Sequence, residues 1–266
     1  MRMELNQHPL STPFSNALRP KRRGFFSISL ALVAHRRTAL TDRILATLLA
    51  GIAGAVNAGG FFAIGKYTSH MTGYLSQVAD NIADGHFAIA IAALSAIAAF
   101  VVGATLSSLL VIWSRIRRSR HQYALPIMVQ GLALLGFSFS SSWGVSLQIA
   151  LLCCLMGMQN ATITKLSKTR VRTTHVTGMV TDIGIETGRA LFWLSSNLPE
   201  SKPNWQKLAT LVQLVSSYLI GGILGAIGFA KVGFLFSIPL AFILLSISVP
   251  TLLVVRHKRT PHHTAE

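Results

Sequence analysis

Residues 124–163 read ALPIMVQGLALLGFSFSSSWGVSLQIALLCCLMGMQNATI, and no side chain in these 40 residues carries a charge. About 20 apolar residues in a helix cross the ~30 Å hydrocarbon layer of a membrane, so this run is long enough for two crossings. Residues 140–144 form its natural turn, because serine and glycine break helices. The stretch therefore predicts two membrane-spanning helices joined by a short turn.

The same pattern extends along the rest of the chain. Hydrophobic residues make up 51% of the 266 residues and charged residues only 12%, whereas soluble domains carry about 25% charge. This composition excludes an ordinary soluble enzyme, a disulfide-rich secreted domain and a disordered chain. We predict an all-α transmembrane fold with about six membrane-spanning helices, near residues 44–64, 87–113, 124–140, 145–163, 208–230 and 232–255.

The basic residues between these spans predict their orientation. Lysine and arginine near span ends favour the cytoplasmic side of a membrane. With six crossings and a cytoplasmic N-terminus, only Lys66 and Lys231 of the 24 basic residues lie outside. We therefore expect a multi-pass membrane protein with both termini in the cytoplasm. The net charge of +16 is explained by this orientation and by contact with anionic lipid of the bilayer, and we expect no nucleic acid partner.

Two helix-like stretches, 67–86 and 173–199, are too polar to face lipid. If one of them crossed the membrane alone, the basic segments after it would move to the outside. If both crossed, the segments at 115–120 and 165–172 would face outward together, which the distribution of charge opposes. We predict that each is a re-entrant or interfacial half-helix, buried in protein or lining a water-filled cavity.

Three motifs occur twice in the same order, which predicts an internal repeat. Repeat one covers residues 41–143 and repeat two covers 144–255. They lie between a basic segment at 1–40, either disordered or on the membrane surface, and a disordered basic tail at 256–266. Three crossings per repeat require the second copy to insert upside down, an inverted three-plus-three arrangement of a kind found in transporters. The paired motifs are GAVNA 54–58 and GMQNA 157–161, SHMTGYLS 69–76 and THVTGMVT 174–181, and FVVGA 100–104 and YLIGG 218–222.

These motifs carry a resemblance to a known family. The G-x-x-N-A helix end and the two S/T-H-x-T-G motifs resemble the YoaK family, a group of bacterial membrane proteins that contain a domain of unknown function. The resemblance covers roughly residues 42–255 and implies a polytopic helical fold in the bacterial inner membrane, without implying a substrate. This chain has Asn57 where members commonly carry Asp, and His70 where they commonly carry Asn.

The two Thr-Gly pairs in these motifs are the candidate binding elements, and each pair with its histidine is called a T-G motif below. The first N–H groups of a half-helix lack partners within the helix; threonine or serine there can cap them, and glycine allows a ligand to approach closely. Those that stay free favour an anion or a carboxylate. A histidine beside each pair adds a titratable donor. The alternative is that Thr-Gly pairs only let helices pack closely in the membrane. The residues concerned are His70, Thr72, Gly73, His175, Thr177 and Gly178.

Three further polar residues within the membrane part are candidates for the same pathway. Asn57 and Asn160 either make hydrogen bonds between helices or line the pathway, and the two roles are compatible. Asp182 is the acidic residue we expect to lie deepest, and a carboxylate inside a membrane is a functional candidate by default. Cys153 and Cys154 are expected to be packing residues, and we predict neither a metal site nor a cofactor.

From these features we predict a small-solute transporter or permease with its site between the paired half-helices. We expect no enzymatic activity, because no nucleophile and base stand together in the local sequence. The alternative is a non-transporting membrane scaffold, or a protein that binds lipid or a partner on its basic inner face. The sequence leaves the oligomeric state open.

Overall fold

The computed structural model of the protein describes residues 39–117, 122–166, 176–196 and 198–257, and these ranges contain helices and turns but no strand. The predictions for the N-terminal segment 1–38, the tail 258–266 and His175 lie outside the described residues. The α-helices are α1 Ala39–Ile64, α2 Met71–Ala83, α3 Phe87–Ile116, α4 Ala124–Phe137, α5 Val145–Leu166, α6 Val176–Ser196, α7 Trp205–Val232 and α8 Ser237–His257.

Six of these helices coincide with the six predicted spans. In the described part of the chain, four helical stretches are long and apolar enough to cross a membrane, namely Leu40–Ile64, Phe87–Ile116, Val145–Lys165 and Pro199–Leu253. The last stretch contains both α7 and α8. The predicted span at 124–140 is shorter than expected, because α4 ends at Phe137 and its 14 residues reach only about 21 Å. The chain is an all-helical membrane protein.

The turns between these helices form where the sequence predicted breaks. A 3-10 turn at Ser140–Ser142 separates α4 from α5. Gly233 ends α7 with a φ of 59°, a backbone conformation that other residues adopt only with strain. At the start of α7, the Asn204 side chain accepts a hydrogen bond from the Lys207 N–H at 2.9 Å, which caps the helix. Local side-chain chemistry thus determines where these helices begin and end.

Helices α1 and α7 pack closely and run in the same direction. In the first half of each helix, the Ser217 hydroxyl donates to the Thr47 carbonyl oxygen at 2.8 Å. Further along both helices, Gly59 lies against the Phe229 ring. Because the contacts advance together along the two sequences, the helices are parallel.

Helices α3 and α5 form a second parallel pair. Gly103 of α3 lies against the backbone of Cys154. Further along both helices, the hydroxyls of Ser107 in α3 and Thr162 in α5 are 2.8 Å apart. Gln130 of α4 donates to the same Thr162 hydroxyl at 3.2 Å. These contacts also advance together along both helices.

In two other pairs, the two packed helices run in opposite directions. The hydroxyl of Ser138, at the end of α4, is 2.8 Å from that of Ser237, at the start of α8, while Gly131 earlier in α4 meets Leu245 later in α8. Likewise, Gln159 of α5 donates to the Leu49 carbonyl of α1. Earlier in α5, Leu152 lies near Gly60, which is later in α1. The pairs α4–α8 and α1–α5 are therefore antiparallel.

Helix α3 is the most outward-facing of the long apolar helices. Only 22% of its most apolar window is buried within the molecule, and Ile91, Leu94 and Val102, which do not line the cavity described below, are exposed. Large exposed apolar surfaces of this kind mark contact with a membrane. The interior, by contrast, contains fully buried residues such as Leu49, Ile127 and Phe137.

The two polar helices pack beside long helices. Helix α2 has 13 residues and contacts α3, and α6 has 21 residues and contacts α7. Within the described residues, neither helix is among the stretches apolar enough to span a membrane. Each begins at its own copy of the T-G motif, at Met71 and at Val176.

Candidate functional site

The two T-G motifs line the same cavity. It has a volume of about 1100 Å³ and lies among the start of α2, the middle of α3, the end of α5 and the start of α6. Five of the predicted site residues line it, namely His70, Thr72, Asn160, Thr177 and Gly178. The cavity thus joins residues from the first and second copies of the motif, which are about 105 residues apart in the chain.

The start of α2 lies at this cavity, where Met71 and Thr72 form part of its lining. Because the first N–H groups of a helix have no partners within the helix, they need a side chain, water or a ligand. Sequence reasoning expected a threonine or serine to cap them. The residue before the helix is His70, and its side chain makes no capping hydrogen bond.

Gly73 does not line the cavity but makes room for one of its residues. A Cβ atom at this position would collide with the imidazole ring of His70. The glycine predicted to admit a ligand therefore admits the His70 ring instead. It positions that ring at the mouth of the cavity rather than contacting the cavity itself.

Asn57 does not line the cavity but binds a residue that does. Its Oδ1 accepts hydrogen bonds from the Ser69 N–H at 3.0 Å and from the Ser69 hydroxyl at 2.9 Å. The Tyr218 hydroxyl of α7 is 3.4 Å from the Ser69 hydroxyl. Ser69 lines the cavity directly. Asn57 therefore holds the segment that leads into α2, and its main partner lies within its own repeat.

Asn160, the counterpart of Asn57, lines the cavity itself. Its Oδ1 atom is enclosed, and among the described residues it has no hydrogen-bond partner. An enclosed polar atom without a partner is destabilising unless water or a ligand satisfies it. The same motif therefore supplies a structural hydrogen bond in one copy and an available polar group in the other.

Asp182 is not among the residues that line the cavity. Its half-exposed carboxylate pairs with the Lys207 ammonium at 3.3 Å, and the same ammonium is 3.5 Å from Glu186. Glu186 is buried and also accepts the Asn204 N–H at 2.9 Å. This backbone hydrogen bond, together with Lys207, holds the pKa of Glu186 below its ordinary value. The acidic residue expected to lie deepest instead belongs to an ionic cluster between α6 and the start of α7.

Several cavity residues were missed by sequence reasoning. Lys165 lines the cavity near the end of α5, and its ammonium donates to the Ser108 hydroxyl and to the Ser108 carbonyl at 3.4 Å. Thr105 and Thr164 add two hydroxyls. Lys165 was grouped with the cytoplasmic loop after span four. The one local signal was its position directly after the uncharged run that ends at Ile163.

The cavity wall combines these polar groups with apolar side chains from α3. Phe100, Leu109 and Ile112 form part of the wall. Within the described ranges, no group of three or more His, Cys, Asp and Glu side chains is arranged to hold a metal ion. The arrangement suits reversible binding of a small organic solute, because polar contacts orient such a ligand and apolar walls bury it.

A family model described as "Protein of unknown function (DUF1275)" matches residues 45–249, which is most of the chain and includes every helix that lines the cavity. No curated protein and no solved structure matches the chain.

Proposed function

Because the chain belongs to the DUF1275 family, whose description assigns no function, we propose a function from the cavity: the protein is a small-solute permease. The observation that carries this proposal is the convergence of both T-G motifs on one cavity of about 1100 Å³. Secondary transporters bind their substrates where two repeats meet, at interrupted helices. Helices α2 and α6 are interrupted helices in this sense, since each starts at the cavity.

Our proposal includes six crossings, with α2 and α6 returning to the side from which they enter. The directions of the packed helices support it. If α2 or α6 alone crossed, α1 and α7 would run in opposite directions, but their contacts run in parallel. If both crossed, α4 and α8 would be parallel, but their contacts are antiparallel. Six crossings agree with every packed pair.

The proposal also includes an inverted repeat, and matched contacts support it. Gly54 of α1 meets the Tyr218 carbonyl, and Gly157 of α5 meets the Phe100 carbonyl. Residue 157 lies 103 positions after 54, and residue 218 lies 118 positions after 100, which are the offsets of the sequence motifs. The antiparallel packing of α1 and α5 agrees with an inversion, because these two helices are the first of each repeat.

With the N-terminus in the cytoplasm, the cavity opens on the inner half of the membrane. It follows the C-terminal halves of α3 and α5, which point inward in the six-crossing arrangement. The proposed setting is the bacterial inner membrane, with anionic lipid at the basic cytoplasmic face. No enzymatic step forms part of the proposal.

Transport by the purified full-length protein in liposomes tests the proposal. We expect flux of at least one member of a panel of small anionic, cationic and neutral solutes. Thr105→Trp should reduce that flux at least tenfold, because the indole fills the cavity that Thr105 lines. Ala98→Trp is the matched control, since Ala98 is exposed on the same helix and does not line the cavity.

Two outcomes count against a permease. One is a folded protein that moves no solute of the panel. The other is a Thr105→Trp variant that transports at the rate of the Ala98→Trp control. Either result would favour a membrane protein that binds lipid or a partner without transporting it.

A further inference from the structure

Lys165 brings an ammonium group to the cavity without a carboxylate to balance it. Among the described residues, the group donates to Ser108. In the described part of the chain, no Asp or Glu pairs with Lys165, and none lines the cavity. A charge that is partly removed from water without a counter-charge is unfavourable, and a bound anion relieves that cost. This half-buried lysine therefore selects for negative charge.

The other polar groups of the cavity agree with this preference. Thr105, Ser108 and Thr164 line the cavity together with Lys165, and the two threonines of the T-G motifs, Thr72 and Thr177, add further hydroxyls to its lining. Hydroxyl and N–H groups donate hydrogen bonds to carboxylate or phosphate oxygens. A cationic ligand would find no carboxylate among the described lining residues.

The apolar wall of the cavity restricts the chemical class of the ligand further. Phe100, Leu109 and Ile112 line the cavity beside its polar groups. An inorganic anion has no apolar surface to bury against this wall. An organic anion gains binding free energy by burying its apolar part there. The cavity volume of about 1100 Å³ is ample for a small organic molecule.

We propose that the cavity binds an organic anion whose charged group pairs with Lys165 and whose apolar body lies against α3. This inference rests on the proposed function, because it names the substrate class of the same cavity. The anionic group belongs either to a soluble carboxylate or to a lipid headgroup, and both share this chemistry.

Binding to the purified full-length protein in a neutral detergent tests the inference. The probes are hexanoate and its uncharged isostere hexanamide, measured by titration calorimetry and by the shift in melting temperature. We expect hexanoate to bind at least tenfold more tightly than hexanamide. Lys165→Met should weaken hexanoate binding at least tenfold, and Lys165→Arg should retain most of it because it keeps the charge.

The matched control is Lys231→Met, which removes an exposed lysine at the end of α7, away from the cavity. It should bind hexanoate as the unmodified protein does. Comparing hexanoate with hexanamide needs no variant, so the inference stays testable if Lys165→Met fails to fold.

A second arm separates the two sources of the anion. The protein in nanodiscs of phosphatidylcholine is compared with the protein in nanodiscs that also contain phosphatidylglycerol. Stabilisation by phosphatidylglycerol that Lys165→Met abolishes assigns the anion to a lipid headgroup. Hexanoate binding in phosphatidylcholine alone assigns it to a soluble carboxylate.

The inference is overturned if neither hexanoate nor phosphatidylglycerol binds in a way that depends on Lys165, or if hexanamide binds measurably and as tightly as hexanoate. Its failure is distinguishable from failure of the permease. Lys165-dependent binding without flux in liposomes would contradict the permease and support the anion site. Flux of neutral solutes that Lys165→Met leaves unchanged would support the permease and contradict the anion site.

Discussion

At the scale of single residues, two asparagines in the same motif have different surroundings. Asn57 accepts two hydrogen bonds from Ser69, whereas the enclosed Oδ1 of Asn160 has no partner among the described residues. The difference arises because Asn57 faces the segment leading into α2, while Asn160 faces the cavity. Residue identity alone could not distinguish a positioning role from a lining role.

Replacing Asn57 with alanine should destabilise the segment before α2. The Ser69 N–H and hydroxyl would lose their acceptor inside the protein, at a cost of about 1–3 kcal/mol. The melting temperature of the purified protein in detergent measures the effect. Asn81→Ala is the control, since the Asn81 side chain donates only to a carbonyl of its own helix. Equal melting temperatures for the two variants would contradict the positioning role of Asn57.

Glu186 predicts a pH dependence of stability. Its pKa is lowered in the folded protein, first by the Asn204 N–H and then by Lys207. A group with a lowered folded pKa stabilises the fold above its unfolded pKa of about 4.3, and this contribution is lost as the pH falls through the folded pKa. Glu186→Gln should therefore lower the melting temperature at pH 7, and the difference should shrink as the pH drops below about 4.

Glu200→Gln is the control for this series, because it makes the same change of side chain at an exposed position. It should follow the unmodified protein at every pH. A difference between Glu186→Gln and the unmodified protein that stays constant from pH 7 to the acid limit would contradict a role for the charge.

At the scale of helices, glycine determines how closely two of them approach. Gly103 of α3 and Gly221 of α7 each lie directly on the backbone of the facing helix, at Cys154 and Gly51 respectively. In a membrane, small residues of this kind allow the close contact that drives helix association. These glycines therefore set the close spacing of the two parallel helix pairs, of which α3–α5 lines the cavity.

Gly103→Ala should separate α3 from α5. The added Cβ would collide with the Cys154 carbonyl group, and backbone cannot rotate away as a side chain can. We expect a loss of about 1–3 kcal/mol in stability, measured by thermal unfolding in detergent. Gly184→Ala, where the added Cβ meets nothing within 4 Å, should instead stabilise α6 by about 0.5–1 kcal/mol. A Gly103→Ala variant as stable as Gly184→Ala would refute the close contact.

At the scale of the whole molecule, helix directions and charge distribution point to one arrangement. Parallel α1–α7 and α3–α5 pairs, with antiparallel α4–α8, agree with six crossings. The basic segments then lie together on one side of the membrane. The topology proposed from charge and the directions obtained from contacts are independent arguments, because no charged residue takes part in those contacts.

Reporter fusions test this arrangement directly. Alkaline phosphatase, which is active only in the periplasm, should be inactive when fused after residue 120 or residue 170 and active after residue 66. A cytoplasmic fluorescent reporter at the same positions provides the reciprocal control. Phosphatase activity at residue 120 or 170 would overturn the inverted repeat and the inward-opening cavity together.

The positions of the helices could be predicted from the sequence, because helix formation and transfer into a membrane depend on local composition. Long uncharged runs therefore predicted α1, α3, α5, α7 and α8 well. Helix α4 ends early, since the serines after Phe137 break it before it reaches the expected length. The start of α2 beside its T-G motif was also visible in the sequence.

The partners of individual polar side chains were decided by the tertiary structure alone. Lys165 and Ser108 meet across 57 residues of chain, and Asp182 pairs with Lys207 of the next helix rather than joining the cavity. Which groups meet depends on how far each helix is rotated and shifted along its neighbour. Glycine contacts between distant helices set that rotation and shift, and no local pattern of residues encodes them.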